Sequence, residues 1–145
     1  MARENNGQGR FVAEFELIVS PREAAVIRRR LEAGRMIYNA LLTEGLRRLN
    51  LYRQSRLYQK ARRIPNGTEE QREARRAAFK AAREAHNWSE IGLTRDLQQF
   101  GQQFTATWLN RHVDSQIVKK LAERVARTVY RHSLGQGGRP RFKRR

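Results

Sequence analysis

The sequence contains no cysteine, few aspartates and no long hydrophobic stretch, and each of these absences excludes a class of protein. Without cysteine the chain can form neither disulfides nor thiolate metal sites. No run approaches the roughly 20 apolar residues that a membrane span needs. The N-terminal residues also lack the apolar centre of a signal peptide. We therefore expect a soluble protein of the cytoplasm.

The acidic and histidine residues are arranged in a way that predicts no active site. The two aspartates, Asp96 and Asp114, are far apart, and most of the 12 glutamates lie within three or four residues of a basic residue. A two-metal nuclease needs several carboxylates that converge on one place. The three histidines are 26 and 20 residues apart, which is no metal-ligand spacing. We expect no catalytic residue, no metal site and no cofactor within this chain.

The excess of positive charge is the strongest signal of function. The chain has 31 basic and 14 acidic residues, a net charge of +17, and 26 of the basic residues are arginine. Residues 21–63 carry +9 and residues 135–145 carry +5, so two segments hold most of the excess. Arginine presents a planar fork that suits phosphate oxygens. The expected partner is nucleic acid, with an anionic membrane as the weaker alternative.

The first part of the chain predicts a strand followed by a long helix. Residues 11–19, FVAEFELIV, alternate apolar and polar side chains over most of their length and are rich in β-formers, which is typical of a strand. Ser20, Pro21 and Glu23 then form a capping box with proline at the first helical position. In the helix an apolar seam recurs at threes and fours, and its glycines predict close approach of another element. The seam consists of Ala24, Ile27, Leu31, Gly34, Tyr38, Leu41, Gly45, Leu49 and Tyr52.

Further helices complete a mainly α-helical bundle. We expect a bend of the first helix near Gly45 or Asn50, because unbroken to Lys60 it would be roughly 60 Å long. An alanine-rich strut is predicted at about 69–86, a turn anchored by Trp88 follows, and two more helices are predicted at about 94–105 and 111–132. The strand remains without a partner, although its N–H and C=O groups need one. Either the basic tail pairs with it, or its partner strands lie outside this sequence.

After the predicted strand the chain contains SPREAAVIRRRLEAGRMIYNALL (residues 20–42), TWLNRHVDSQIVKKLAERVARTVYRH (residues 107–132) and GRPRFKRR (residues 138–145). In this order, these segments resemble the amino-terminal part of the TnpB nucleases of bacterial transposons and of the related type V CRISPR effectors. That pattern runs from a strand and a proline-led helix through a small-Arg-x-x-Tyr-Asn segment. A Ser-Gln pair before an amphipathic helix and a Gly-x-Pro-Arg-Phe-Lys segment complete it. The resemblance spans nearly all of residues 10–145. The residues at matching places are Pro21, Arg35, Tyr38, Asn39, Ser115, Gln116, Gly138, Pro140, Arg141, Phe142 and Lys143.

The resemblance implies an interpretation of the lone strand and of the tail. In this family the first strand belongs to a wedge domain, an oligonucleotide-binding-type β-barrel, and the Gly-x-Pro-Arg-Phe-Lys segment leads the chain back into it. Residues 1–19 would comprise a disordered N-terminus and the first barrel strand, residues 20–134 a helical recognition lobe, often described as a helix-turn-helix transposase domain, and residues 135–145 the return segment. The family's nuclease carboxylates with their Mg and its zinc-binding cysteines lie downstream. The chain would then be the non-catalytic start of an RNA-guided DNA endonuclease active in transposition.

The expected partners are a guide RNA, the target DNA and the remaining nuclease domains, on a continuing or separate chain, in a bacterial or archaeal cytoplasm. The arginine-rich helices would hold the RNA–DNA heteroduplex through its phosphates, while base pairing reads the sequence. The residues expected to bind the nucleic-acid backbone are Arg28, Arg29, Arg35, Arg47, Arg48, Arg53, Arg56, Arg139, Arg141 and Lys143.

A second group of residues would read the motif that flanks the target. In the family the stretch that corresponds to Gln116 faces this motif, where an amide can pair bidentately with adenine. His112, one helical turn earlier, and Arg95, near the start of the preceding helix, are expected to share that surface. Tyr38 and Trp108 lie on predicted apolar stripes, so we interpret them as core residues rather than base-stacking platforms.

Two other functions fit the same composition. The chain could be a self-contained basic helical RNA- or DNA-binding protein, such as a small transposon-associated regulator or a ribosome-associated factor, with the tail as a disordered arm. It could also be a purely structural subunit whose positive charge meets an acidic protein. A docked tail argues against the first alternative, and binding to RNA or DNA at physiological salt argues against the second.

Overall fold

Five α-helices and two 3₁₀ turns make up the computed structural model, which describes residues 12–144. The mainly α-helical class predicted above is therefore confirmed. The elements are α1 (Pro21–Gln54), α2 (Arg56–Arg63), α3 (Glu69–Ala85), α4 (Glu90–Gly101), the 3₁₀ turns Gln102–Ala106 and Trp108–Arg111, and α5 (Ser115–Ser133).

Local capping determines where α1 begins and ends. The Glu23 backbone N–H donates to Ser20 Oγ at 3.3 Å, and the Ser20 backbone N–H donates to Glu23 Oε2 at 2.8 Å, which is the predicted capping box. The helix continues without a break for 34 residues. It ends at Ser55, whose extended backbone (ψ 147°) stops α1 and whose Oγ caps α2. Gly45 and Asn50, near which a bend is predicted, remain helical, and the interruption before Lys60 lies at Ser55.

The core lies where the second half of α1 packs against α4 and α5. The predicted seam is buried from Tyr38 onward, and on α5 the side chains of Val118, Val125 and Val129 are buried. Gly45 allows close approach, since a Cβ there would lie 3.2 Å from Val129 Cγ2. Gly34 does not, because nothing lies within 4 Å of a Cβ at that position. The first third of α1 thus extends beyond the core.

Helices α2 and α3 form a hairpin that is joined to the core by aromatic contacts. The Tyr58 ring lies 5.1 Å from Tyr52 and 5.3 Å from Phe79, both edge-on. Trp88 stacks on Tyr52 at 5.0 Å and donates from Nε1 to Ser133 Oγ at 2.9 Å. The prediction that Trp88 anchors the turn after α3 is confirmed.

The last two helices, α4 and α5, begin at residues other than those predicted, because Ser89 and Asp114 cap them. The Ser89 side chain accepts from the Gly92 backbone N–H at 3.0 Å and begins α4 earlier than predicted. Asp114 Oδ1 accepts from the Ile117 backbone N–H at 2.8 Å, so α5 begins at Ser115 and not near residue 111. The residues between these helices form 3₁₀ turns instead of helix.

The predicted strand is not formed in the part of it that the structure describes; Phe11 lies outside the described residues. Residues 12–19 have no regular secondary structure, and the apolar side chains of Val12, Phe15 and Ile18 are about nine-tenths exposed. No backbone hydrogen bond joins residues 12–19 to residues 139–144. A strand requires a neighbour for its N–H and C=O groups. The described chain offers none, so the tail is not its partner and the barrel part of the predicted fold is not seen.

A buried glutamate links α1 to α4 through arginine. Glu44 is only 8% exposed and accepts from Arg47 Nε at 2.7 Å and from Arg48 Nε at 2.8 Å. Arg48 Nη1 also donates to Asp96 Oδ2 on α4 at 2.8 Å. The hydrogen bond from Arg47, followed by that from Arg48, holds the pKa of Glu44 below its ordinary value of 4.5 against the opposing effect of burial.

We predict that Glu44→Gln lowers the free energy of unfolding at neutral pH by about 1–2 kcal/mol, because buried charge-assisted hydrogen bonds are weakened. The pKa of Glu44 is depressed by folding, so this stabilisation is present above pH 4.5 and is lost as the pH falls through the folded-state pKa. Urea unfolding at pH 7 and below pH 4 measures the difference.

Glu69→Gln is the matched control, because Glu69 pairs with Arg72 and Arg76 while its side chain is 65% exposed. We expect it to change stability by less than about 0.5 kcal/mol at any pH. Equal effects of the two substitutions would contradict the role given to Glu44.

Candidate nucleic-acid interface

The basic tail lies against α1 and is held there by an asparagine. The Lys143 backbone N–H donates to Asn39 Oδ1 at 2.8 Å, and Asn39 Nδ2 donates back to the Lys143 carbonyl at 3.0 Å. Arg35 Nη1 donates to the same carbonyl at 3.3 Å, and Lys143 Nζ lies 5.7 Å from the centroid of the Tyr38 ring. Pro140 is buried. The tail is therefore docked on the helix.

A groove of about 630 Å³ lies between the first half of α1, the Trp108–Arg111 turn, the start of α5 and the tail. We call it the basic groove. Its apolar lining includes Leu31, Tyr38, Val113, Ile117 and Leu121. Its cationic lining consists of Arg30, Arg35, Arg111, Arg124 and Lys143, and among residues 12–144 Asp114 is the one carboxylate that lines it.

Most of the positive charge in the basic groove has no carboxylate beside it. Arg35 is paired with Glu32, to which its Nε donates at 2.8 Å. Within residues 12–144, no ion pair involves Arg30, Arg111, Arg124 or Lys143. Asp114 uses Oδ1 to cap α5. The groove thus combines an apolar surface with a concentration of unpaired cations, a combination that suits an anionic ligand with flat apolar groups.

The structure brings together three of the residues predicted from the sequence, namely Arg35, His112 and Lys143, at the basic groove. Arg47 and Arg48 are instead engaged with Glu44, although the Arg47 side chain stays 57% exposed. The other predicted cations do not line the groove. Arg28 and Arg29 are exposed on the first third of α1, Arg53 and Arg56 flank the break at Ser55, and Arg139 and Arg141 are exposed in the tail.

The three residues predicted to read a flanking motif do not line one site in the described structure. His112 precedes α5 and is not one helical turn before Gln116, because the helix begins only at Ser115. Gln116 is exposed on the first turn of α5, and Arg95 on α4 is 72% exposed beside Asp96. Of the three, only His112 lines the basic groove.

Sequence reasoning missed Arg30, Arg111 and Arg124. For Arg124 a signal exists, because Ile117, Leu121 and Arg124 follow helical spacing and form one face of α5. Arg30 belongs to the arginine run 28–30. It lies next to the apolar seam of α1, whereas Arg28 and Arg29 lie on the outer face of that helix. Arg111 lies in a 3₁₀ turn, where no periodic pattern could identify it.

The two aromatic residues interpreted as core differ in the structure. Tyr38 is 8% exposed and belongs to the core, as predicted. Trp108 is 56% exposed, so the prediction for it is wrong. Trp108 lies on the 3₁₀ turn between the helices predicted at about 94–105 and 111–132, and on that turn Leu109 is the residue that is buried.

Residues 12–144 contain neither a metal-binding cluster nor a membrane-spanning helix. No group of three or more His, Asp or Glu side chains within this part of the chain could hold a metal ion. No described helix is both long and apolar enough to span a membrane.

We predict that Asn39→Ala releases the tail, because both hydrogen bonds between its amide and the Lys143 backbone are removed. The exchange protection of the Lys143 amide should fall by about ten-fold, as expected for the loss of a hydrogen bond worth roughly 1 kcal/mol or more. Hydrogen exchange followed by NMR measures this. Thr43→Ala is the control, since Thr43 Oγ1 donates only to the Asn39 carbonyl at 2.9 Å. Unchanged protection in Asn39→Ala would show that other contacts hold the tail.

The chain was compared with family models, with curated protein sequences and with solved structures. None of the three comparisons finds a match.

Proposed function

We propose that this chain binds nucleic acid without catalysing a reaction, as the amino-terminal part of an RNA-guided DNA endonuclease similar to TnpB and the type V CRISPR effectors. In this proposal it holds the guide RNA and the RNA–DNA heteroduplex and contacts the target-flanking motif. The observation that carries the proposal is the contact between two segments of the family-like pattern, more than 100 residues apart. Asn39 of the Arg-x-x-Tyr-Asn segment is hydrogen-bonded to Lys143 of the Pro-Arg-Phe-Lys segment.

The chemistry of the basic groove supports a phosphate-bearing ligand. Arg30, Arg111 and Arg124 have no described carboxylate partner, and the guanidinium group binds phosphate oxygens in a bidentate manner. Cations held close together repel one another, and an anionic ligand relieves that repulsion. Arg28 and Arg29 on α1 and Arg139 and Arg141 in the tail are exposed, and they would extend the contact along a nucleic-acid backbone.

The proposal also gives a role to the apolar residues 12–18. Phe15, Leu17 and Ile18 are exposed, which is costly unless another surface covers them. In an oligonucleotide-binding-type barrel they would belong to the first strand and pair with strands from a continuing or separate chain. Residues 12–19 would then become ordered strand only when those partners are present.

A self-contained helical nucleic-acid-binding protein is the second candidate, and one observation favours it. The core of α1, α4 and α5 buries Leu41, Leu97 and Val125 completely, without any contribution from residues 12–19. Such a bundle does not depend on a barrel for its core. The docked tail counts against the disordered arm that this candidate assumed.

We predict that the chain binds a 20-base-pair RNA–DNA hybrid with an affinity that falls linearly in a plot of log K against log salt concentration. Each phosphate contact should contribute a slope of about −0.9. The double variant Arg30→Glu, Arg124→Glu should weaken binding to every sequence alike and reduce the slope by about 2, since two phosphate contacts are removed. Fluorescence anisotropy of a labelled hybrid at several salt concentrations measures both quantities.

The matched control is Arg72→Glu with Lys80→Glu, which changes the net charge equally but lies on α3, where acidic and basic residues nearly balance. We expect this control to bind almost as tightly as the unmodified chain. Equal losses in the two double variants would mean that only total charge matters. Negligible binding of any hybrid at physiological salt would overturn the proposal and favour an acidic protein as partner.

A further inference from the structure

Trp108 is a large aromatic side chain left in solvent beside the basic groove. It is 56% exposed and packs edge-on against His112, with ring centroids 5.9 Å apart. His112 lines the basic groove together with Arg111, the residue before it. An exposed indole surface of this size costs free energy in water and adds nothing to the core.

Trp88, the other tryptophan, has a structural role and serves as a comparison for Trp108. Trp88 is 6% exposed, stacks on Tyr52 and uses its indole N–H in a hydrogen bond to Ser133. Trp108 has none of these features: within the described residues its indole N–H has no hydrogen-bond partner, and apart from the edge contact with His112 no aromatic ring lies against it.

Hydrogen bonds and two buried side chains fix the turn that carries Trp108. Thr107 Oγ1 accepts from the Leu109 backbone N–H at 3.3 Å, and the His112 backbone N–H donates to the Leu109 carbonyl at 2.9 Å. Leu109 and Val113 are buried in the core, at 6% and 4% exposure. The exposed ring is thus presented on an anchored turn, and little conformational entropy is lost when a flat ligand stacks on it.

We propose that Trp108 is a stacking site for an unpaired nucleobase, on a strand whose phosphates lie along the cations of the basic groove. This inference rests on the proposed function and adds to it the class of ligand, since a base inside a duplex has both faces covered and cannot stack on a side chain. Stacking on an aromatic ring beside a positively charged groove is how proteins bind single strands without reading their sequence.

The charges beside Trp108 favour a nucleic acid over a protein as the occupant. A nucleic acid carries a negative charge at every phosphate, whereas the surface of a protein usually mixes both signs of charge. Here Arg111 adjoins the aromatic pair, and the groove that continues from it carries Arg30, Arg124 and Lys143 against the single carboxylate of Asp114. A polyanion with exposed flat bases satisfies both the cations and the indole.

The experiment compares three probes with the same 20-base-pair RNA–DNA hybrid: one blunt, one with a three-nucleotide single-stranded overhang, and one whose overhang is abasic. The abasic overhang keeps the phosphates and removes the bases, so it isolates stacking. We expect the unmodified chain to bind the overhang probe roughly 5- to 100-fold more tightly than the abasic probe, the range expected for one stacked base. Trp108→Ala should remove this difference and leave binding to the blunt probe unchanged.

Intrinsic fluorescence gives an independent readout, because the two tryptophans differ so strongly in exposure. We expect the overhang probe, and not the abasic one, to quench part of the emission of the unmodified chain. In Trp108→Phe, which keeps an aromatic ring, quenching should disappear because only the buried Trp88 emits, while part of the affinity for the overhang is kept. Circular dichroism of each variant verifies that the helices are formed.

The outcomes separate this inference from the proposed function. If the blunt hybrid binds with the expected salt dependence but the overhang and abasic probes bind equally, the stacking site is overturned and the proposed function stands. If Trp108→Ala weakens the blunt and overhang probes by the same factor, the indole supports the groove and stacks on no base, which also overturns the inference. If no probe binds at physiological salt, both fail.

Discussion

Helix α1 is longer than the two helices that pack against it, α4 and α5, and the position of the basic groove follows from this difference in length. It has 34 residues, whereas α4 has 12 and α5 has 19. The half from Tyr38 to Tyr52 is buried against its two neighbours, because apolar side chains there recur at helical spacing. The half before Tyr38 finds less cover, so Leu31 stays 69% exposed and Gly34 has no neighbour. The exposed side of that half forms one wall of the basic groove.

Ion pairs distinguish two sets of arginines, one bound to carboxylates at the α1–α4 contact and one that lines the basic groove. Arg47 and Arg48 are bound to Glu44, and Arg48 continues to Asp96, so these side chains contribute to the stability of the α1–α4 contact. Arg30, Arg111 and Arg124 take part in no ion pair within residues 12–144. With a net charge of +17, the chain repels itself most strongly where cations gather without carboxylates. The phosphate-bearing ligand of the proposed function would relieve that repulsion.

The tail completes the groove, and its attachment depends on backbone atoms. Asn39 bonds both the N–H and the C=O of Lys143, so the side chain of an asparagine replaces the neighbouring strand that an extended segment would otherwise need. This arrangement is insensitive to which side chain stands at position 143, while the Lys143 ammonium group is left near the Tyr38 ring and the groove. The docked tail therefore adds charge to the site as well as a wall.

The parts of this protein that depend on local interactions were determined by the sequence itself. The capping box at Ser20 and the helical period of the α1 seam from Tyr38 to Tyr52 follow from residues within a few positions of one another, and both are found as predicted. Arg35 and Lys143 were also among the predicted ligand-binding cations, but they meet at the basic groove through the hydrogen bonds that join Lys143 to Asn39 and Arg35.

Only the tertiary structure decided the rest, because burial depends on which element lies opposite a residue and not on its own neighbours in the chain. Leu31 and Gly34 continue the seam perfectly in sequence, yet neither α4 nor α5 covers them. Residues 12–19 have the composition of a strand but no described partner, and a strand cannot satisfy its backbone alone. Trp108 is exposed while Leu109 on the same 3₁₀ turn is buried, because only one side of the turn faces the core. Arg30 and Arg124 come together because α1 and α5 lie side by side, a proximity that residues 94 positions apart acquire only through folding.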